Sequence, residues 1–288
     1  MERGELQGEP RSLPEVLAHA IARLERAGVE TPRLDAEILL AEACGVSRTG
    51  LLARRAPLTE SEARRLHVML ARREQREPLA YIVGRREFFS LDFEVNPDVL
   101  IPRPETETLA AAALDYLKTR APSRVLDIGT GSGILAVTLA VNEPRARIVA
   151  TDVSKQALEV ARRNARRHRC AERIEFVEAD LFPPGDERFD LVVSNPPYIQ
   201  NQSIDELQPE VARFEPRRAL AGGADGLGFY RRIAEGVRAR LGGGGAVMVE
   251  VGAGQGEQVA GIFRCSGLKV VARLSDLAGI ERVIHAQL

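Results

Sequence analysis

From Arg124 onward, short apolar runs take turns with stretches of helical spacing, and this alternation leaves the chain few ways to fold. Residues 124–128, 147–151, 174–177, 191–194, 246–251, 269–274 and 281–285 read as strands, with helices over 134–141 and from about 154 to 167 among them. Strands apolar throughout must be covered on both faces, which predicts an α/β fold with a mostly parallel sheet of about seven strands and helices on either side. Gly242 to Gly245 reads as a short flexible turn.

The N-terminal part is different. Leu13, Val16, Leu17, Ala20, Ile21 and Leu24 make one apolar stripe, with Ser12 and Glu15 as a capping-box pair and Gly28 near the end. A second helix opens at Thr31-Pro32 and runs towards Gly45, and a third begins at Thr59 with Glu62 as its box partner. The spacing predicts a small helical bundle over residues 1–77. From 87 to 95 apolar and acidic residues alternate with the two-residue period of a strand, and Ile101-Pro102-Arg103-Pro104-Glu105 then breaks the pattern. A linker with a β-hairpin is expected over 78–100 and the α/β domain over 101–288.

Composition narrows the function classes. The 288 residues carry a net charge of −1, which gives no electrostatic reason to expect non-specific nucleic-acid binding. The basic run Arg162, Arg163, Arg166, Arg167, His168 and Arg169 lacks interleaved aromatics and reads as a solvated helix face. Cys44, Cys170 and Cys265 are far apart and form no Cys/His cluster, which suits a reducing cytoplasm and predicts no structural metal. Residues 1–14 are polar without a signal-peptide core, and no run of 18 apolar residues is present to span a membrane.

Two motifs carry chemistry. Gly129-Thr130-Gly131-Ser132-Gly133 follows a predicted strand and opens a helix. Glycines are needed where backbone turns sharply and meets a ligand closely. The spacing is GxGxG, not the GxGxxG of dinucleotide folds. Asp152 lies 19 residues beyond Gly133, at the end of the next strand, where a carboxylate can accept both ribose hydroxyls of an adenosyl group. Asp180, at the end of the third strand, reads equally as an acceptor for the adenine amino group or as a turn aspartate.

The second motif is Asn195-Pro196-Pro197-Tyr198, at the end of the apolar strand Leu191-Val192-Val193-Ser194. Two prolines fix φ and supply no N–H, so their carbonyls and the Asn195 oxygen form a stiff patch of acceptors. Asn195 Oδ1 and the Pro196 carbonyl can hold both N–H bonds of a flat amide or amino group, while Tyr198 packs against its face. That arrangement suits methyl transfer to a planar nitrogen from a sulfonium donor, with catalysis mainly by alignment. Asn-Pro is also a common turn former, and its place at the strand end beside the sheet's switch point is what favours the functional reading.

Together these motifs resemble the class I methyltransferases, with a Rossmann-like sheet, that act on planar nitrogens. Pro78-Leu79-Ala80-Tyr81-Ile82, Phe88-Phe89, Ile101-Pro102-Arg103-Pro104-Glu105-Thr106-Glu107, Glu215-Pro216 with Ala219-Leu220, and Asp225-Gly226-Leu227 resemble one branch, the release-factor glutamine methyltransferases. The resemblance covers nearly the whole chain. It implies methylation of the side-chain amide of the glutamine in the Gly-Gly-Gln motif of bacterial peptide chain release factors, with S-adenosylmethionine as cofactor, S-adenosylhomocysteine as product and no metal. Cofactor contacts carry over to Gly129, Thr130, Gly131, Ser132, Gly133, Asp152 and Asn195, and substrate contacts to Asn195, Pro196, Pro197 and Tyr198. Leu181 stands where some members carry a tryptophan against the adenine, so stacking is replaced there by aliphatic contact. Arg103 lies in a family motif near the active site, as a substrate contact or a brace of the linker. The helical domain is implied as the docking site for the protein substrate.

The nearest alternative is a nucleic-acid adenine-N6 methyltransferase, since that amine is also planar and reaches a site when its base is flipped out. Near-neutral charge and the lack of a nucleic-acid-binding module weigh against it. Intact Asn195 and Tyr198 weigh against a catalytically silent binding module.

Overall fold

A computed structural model describes residues 12–120 and 123–288, so the polar stretch before Ser12 lies outside the described residues. The backbone divides into two units.

The first unit comprises residues 12–84 with Pro209–Phe214. Its helices are α1 (Leu13–Arg26), α2 (Pro32–Cys44), α3 (Arg48–Ala53), α4 (Glu60–Glu74) and α5 (Leu79–Val83). Each begins or stops for a local reason. The capping boxes at Ser12/Glu15 and Thr59/Glu62 both form, and Gly45 and Gly84 end α2 and α5 with left-handed backbone. Leu24, Leu39, Leu40, Leu66, Leu70 and Ile82 fill the core. A polar knot is buried beside them: Arg73 Nε donates to Asp35 Oδ2 at 2.7 Å and Nη1 to Glu210 Oε1 at 2.9 Å, while Arg76 grips Glu210 at 2.6 and 2.8 Å.

The second unit opens with a hairpin, β1 (Arg85–Phe88) and β2 (Leu91–Glu94). The β-hairpin expected within 78–100 is present, and its turn at Phe89 and Ser90, with φ of 51° and 59°, cuts the strand pattern read over 87–95. The linker expected over 78–100 divides here: α5 belongs to the first unit and the hairpin to the second.

There follow α6 (Thr106–Lys118), β3 (Arg124–Ile128), α7 (Ile134–Asn142), β4 (Arg147–Asp152), α8 (Lys155–Arg167), β5 (Ile174–Glu178) and β6 (Phe189–Ser194). After α9 (Pro209–Phe214), which belongs to the first unit, come α10 (Gly228–Arg240), β7 (Leu241–Glu250), α11 (Gly256–Cys265), β8 (Lys269–Ser275) and β9 (Glu281–Gln287). The seven-stranded sheet has the order β5-β4-β3-β6-β7-β9-β8, with β9 antiparallel to both neighbours and the other pairings parallel. The expected mostly parallel, Rossmann-like sheet is therefore present.

Each central strand feeds two cores. Val125, Leu191, Val193 and Met248 pack towards α6 and α7, whereas Leu126, Val192, Val247 and Val249 pack towards α10 and α11. Gly242 to Gly245 is not a turn between elements. It is a bulge inside β7, where the register with β6 slips between Phe189↔Leu241 and Leu191↔Ala246. Two residues of the basic run pair with the hairpin, Arg163 with Glu94 at 2.8 Å and Arg167 with Asp92 at 2.7 Å.

Candidate active site

The strand order turns around β3. From it the chain moves outward through β4 and β5, then returns to pair β6 on the other side, opening a crevice at the carboxyl ends of β3 and β6. Ile128 pairs with Ser194 across that boundary, so the glycine turn and Asn195 leave adjacent strands at the same level. Ser194 Oγ donates to the Ile128 carbonyl at 2.8 Å and ties the two strand ends together.

Gly129, Gly131 and Gly133 all have positive φ, which side chains disfavour. The amides of Gly129 and Thr130 both donate to the Thr151 carbonyl at 2.9 Å, holding the turn to the end of β4. Gly131 N donates to Asp152 Oδ2 and Ser154 N to Oδ1, each at 2.9 Å, fixing the carboxylate while leaving lone pairs on both oxygens. Burial raises the Asp152 pKa, with Arg218 opposing. Gly133 is not among the residues lining the cleft; a Cβ there would lie 3.0 Å from Ala161 Cβ, so this glycine serves the packing of α8 against the turn.

Asp127 is the residue that the motif reading passed over. Its Oδ2 accepts from Thr130 Oγ1 at 2.6 Å and Ala136 N at 3.1 Å, while Oδ1 is buried with no partner among the described residues. Burial pushes its carboxyl up to about 7. A lone carboxylate inside the apolar strand Val125-Leu126-Asp127-Ile128 was the available signal.

The Asn195-Pro196-Pro197-Tyr198 corner is braced from behind by the Ala219-to-Leu227 segment. Ile199 N donates to the Leu220 carbonyl and Gly222 N to that of Ile199, at 3.0 and 2.8 Å. A Cβ on Gly222 would meet Tyr198 Cα at 2.7 Å, and one on Gly226 would meet the Tyr198 carbonyl oxygen at 2.4 Å. Gln255 Nε2 donates to that same oxygen at 3.0 Å. These contacts give the Asp225-Gly226-Leu227 motif its physical meaning.

Asn195, Pro196 and Pro197 line one cleft with Gly129 to Ser132, Asp152, Asp180, Leu181 and Arg103. Its free space, including the part open to solvent, is about 1020 Å³. Tyr198 does not line it. Its ring packs against the second core, and burial, then the charge of Glu250, pushes its hydroxyl up to about 12. The residue anchors the corner and keeps its proton. Arg103 is held by buried Glu215, whose Oε2 also accepts from Ile101 N at 3.2 Å, so it both braces its segment and faces the cleft. Asp180 is ion-paired with Arg232 at 2.7 Å. Leu181 has a φ of 69° and its carbonyl accepts from Thr151 Oγ1 at 2.7 Å. Val153 and Arg218 also line the cleft, and nothing in their sequence setting marked them.

Residues 15–84 match the PrmC N-terminal domain model, and residues 107–213 the methyltransferase small domain model. The release factor glutamine methyltransferase of Geobacter sulfurreducens is 46% identical over 269 residues, covering 92% of this chain and 93% of that one. The chain belongs to the release factor glutamine methyltransferase family. The family members of Cereibacter sphaeroides and Moorella thermoacetica are 43% and 42% identical and cover 95% and 96% of the chain, with 98% of each relative matched. Among solved structures, the human Mettl16 catalytic domain in complex with an RNA hairpin shares the methyltransferase fold at a TM-score of 0.56 and 19% identity, over 81% of this chain and 84% of that one. No group of residues that could hold a metal ion, and no helix long and apolar enough to cross a membrane, occurs among the described residues.

Proposed function

We propose that this protein methylates the side-chain amide nitrogen of a glutamine, the one in the Gly-Gly-Gln motif of bacterial peptide chain release factors. The observation that supports this most is the pairing of β3 with β6, which brings a glycine turn and an Asn-Pro-Pro corner into one cleft. The homologues' names supply the protein substrate.

S-adenosylmethionine, when bound, supplies an electrophilic methyl group on a sulfonium. The cleft has suitable groups for it: acceptors on Asp152 for a ribose, aliphatic Val153 and Leu181 for a base, and the unpartnered Oδ1 of Asp127 for an ammonium. We assign S-adenosylhomocysteine as the product. Asn195 Oδ1 and the Pro196 carbonyl accept the two N–H bonds of the substrate amide, which turns the nitrogen lone pair out of conjugation and along the cleft. The same acceptors favour the positive charge that develops on nitrogen. Both sit on a proline-stiffened corner, so alignment is built in before the substrate arrives. Cys44, Cys170 and Cys265 are free thiols, which fits a reducing compartment, and we place the protein in the cytoplasm.

Mass spectrometry of a release factor incubated with the protein and S-adenosylmethionine tests the assignment. A 14-dalton gain on that glutamine is expected, about one methylene in mass. Asn195→Ala should lower kcat by about 10² to 10³, the range for losing one aligned polar contact in the transition state. Methyl transfer to duplex DNA and not to the release factor would overturn the proposal.

A further inference from the structure

The glycine turn lines the cleft through Gly129, Thr130, Gly131 and Ser132. Helix α8 meets it from behind with two side chains three residues apart, which a helix places on one face. Ala161 fills the space beside Gly133, and Asn164 Nδ2 donates to the Ser132 carbonyl at 2.9 Å. Asn164 is fully buried and is not itself a cleft residue. The rest of its amide meets the hairpin: Oδ1 accepts from Glu94 N at 2.7 Å, and Nδ2 also donates to the Glu94 carbonyl at 3.0 Å.

Glu94 is the last residue of β2, and the chain runs from it to Asp98, Val99 and Leu100, which also line the cleft. That stretch is stiff: Val95 and Val99 are buried, and Asn96 Oδ1 accepts from Asp98 N at 3.0 Å. One side chain thus ties together two edges of the same cleft. The position calls for a short amide. Two carbonyls and one N–H converge on it, and asparagine offers two donor protons and an acceptor in one plane. Aspartate has the same shape and no donor, an aliphatic residue has neither, and glutamine is a methylene too long for a close-packed site.

We propose that Asn164 is a positioning residue for cofactor binding: it fixes the Ser132 carbonyl and the 98–100 edge at one spacing, so the cleft is set before the ligand arrives. The binding of S-adenosylmethionine by this turn rests on the reading above; the tie between turn and hairpin does not. The hairpin has other holds on its domain. Arg163 pairs with Glu94, Arg167 pairs with Asp92, and Glu107 Oε1 accepts from Phe89 N at 2.8 Å. These end on the hairpin alone, so losing Asn164 releases the turn while the hairpin keeps its place. A buried amide that merely closed the core would lower stability and leave the folded protein's affinity for its cofactor unchanged.

The test compares the full-length parent with Asn164→Asp, Asn164→Ala and, as a control, Tyr116→Phe. The control also removes hydrogen bonds, those from Tyr116 to the carbonyls of Asp190 and Gly244, but towards the amino ends of β6 and β7, away from the cleft. In calorimetry well below the unfolding temperature, S-adenosylhomocysteine should bind both Asn164 variants about 10- to 100-fold more weakly than the parent, and the control within about threefold. With a Gly-Gly-Gln peptide, the KM for S-adenosylmethionine should rise by about the same factor while kcat at saturation stays within about threefold. A parent-like Kd in the Asn164 variants, or an equal loss in Tyr116→Phe, would overturn the proposal. If the aspartate variant does not fold, the alanine variant decides by the same limits. If the parent binds no S-adenosylhomocysteine, the cofactor reading fails instead, and the tie is judged by amide hydrogen exchange. Faster exchange over residues 129–136 in Asn164→Ala but not in Tyr116→Phe supports it, and unchanged exchange there refutes it.

Discussion

Gly226→Ala should damage turnover by moving a peptide carbonyl rather than by touching the reacting groups. The new Cβ would sit 2.4 Å from the Tyr198 carbonyl oxygen and 2.8 Å from Gln255 Nε2. To reach even a 3.0 Å approach, the corner must retreat by at least about 0.6 Å, and the Gln255 bond to that oxygen must lengthen or break. That bond is worth about 1 kcal/mol, and a φ of 75° at an alanine costs about 1–2 kcal/mol more. A total of about 2–3 kcal/mol corresponds to a fall in Tm of roughly 4–12 °C for a unit of about 200 residues. Displacing Asn195 and Pro196 by a large part of an ångström should lower kcat by about 10- to 100-fold. Gly223→Ala is the control: its φ is 98°, but no neighbouring atom lies within 4 Å of the new Cβ. It should lose Tm and keep kcat. The assay is initial-rate methyl transfer to a Gly-Gly-Gln peptide, with thermal unfolding by circular dichroism. If Gly226→Ala keeps kcat within threefold of the control, the corner's position does not govern turnover and the bracing argument fails.

Asp152→Ala should raise the cofactor Kd by about 10² through two lost charge-assisted hydrogen bonds, with kcat at saturation little changed; a Kd within threefold by calorimetry would count against a ribose contact. Asp127 has its pKa raised from 3.8 to about 7 by burial, so its contribution to stability is full below pH 3.8 and is lost as pH rises to 7. Asp127→Asn, fixed in a neutral form, should therefore gain on the parent by on the order of 4 kcal/mol between pH 4 and 8, measured by urea unfolding, and a constant difference would refute the burial argument. Arg73→Ala should destabilise the first unit by about 3–5 kcal/mol, because buried Asp35 loses its guanidinium partner while Glu210 keeps Arg76; a loss under about 1 kcal/mol would mean the knot is solvated.

The sheet was legible because its strands are buried on both faces: Leu191-Val192-Val193 must be apolar throughout to serve two cores. A hairpin was expected before residue 100, but the position of its turn was not legible, since Phe89 and Ser90 adopt positive φ without the glycine or asparagine that signals such turns. The start of α6 was hidden by the proline-rich run that its first residue, Thr106, ends. Four glycines in a row suggested a break, yet the β6 edge holds them within β7 and only Gly244 needs positive φ. In the site, glycine spacing and the Asn-Pro-Pro corner could be read locally, because each follows a strand. The orientation of Tyr198 could not, since the core that takes its ring is built by α10, α11 and β7. Asp127 and Glu250 share one overlooked signature, a single carboxylate inside an apolar strand.

The short helix Pro209–Phe214 carries a consequence for biogenesis. Arg73 and Arg76 cannot meet Glu210 until the ribosome has released about three quarters of the polypeptide. The bundle near the N-terminus is thus synthesised first and completed late, with two guanidinium groups awaiting their carboxylate through the translation of more than a hundred codons.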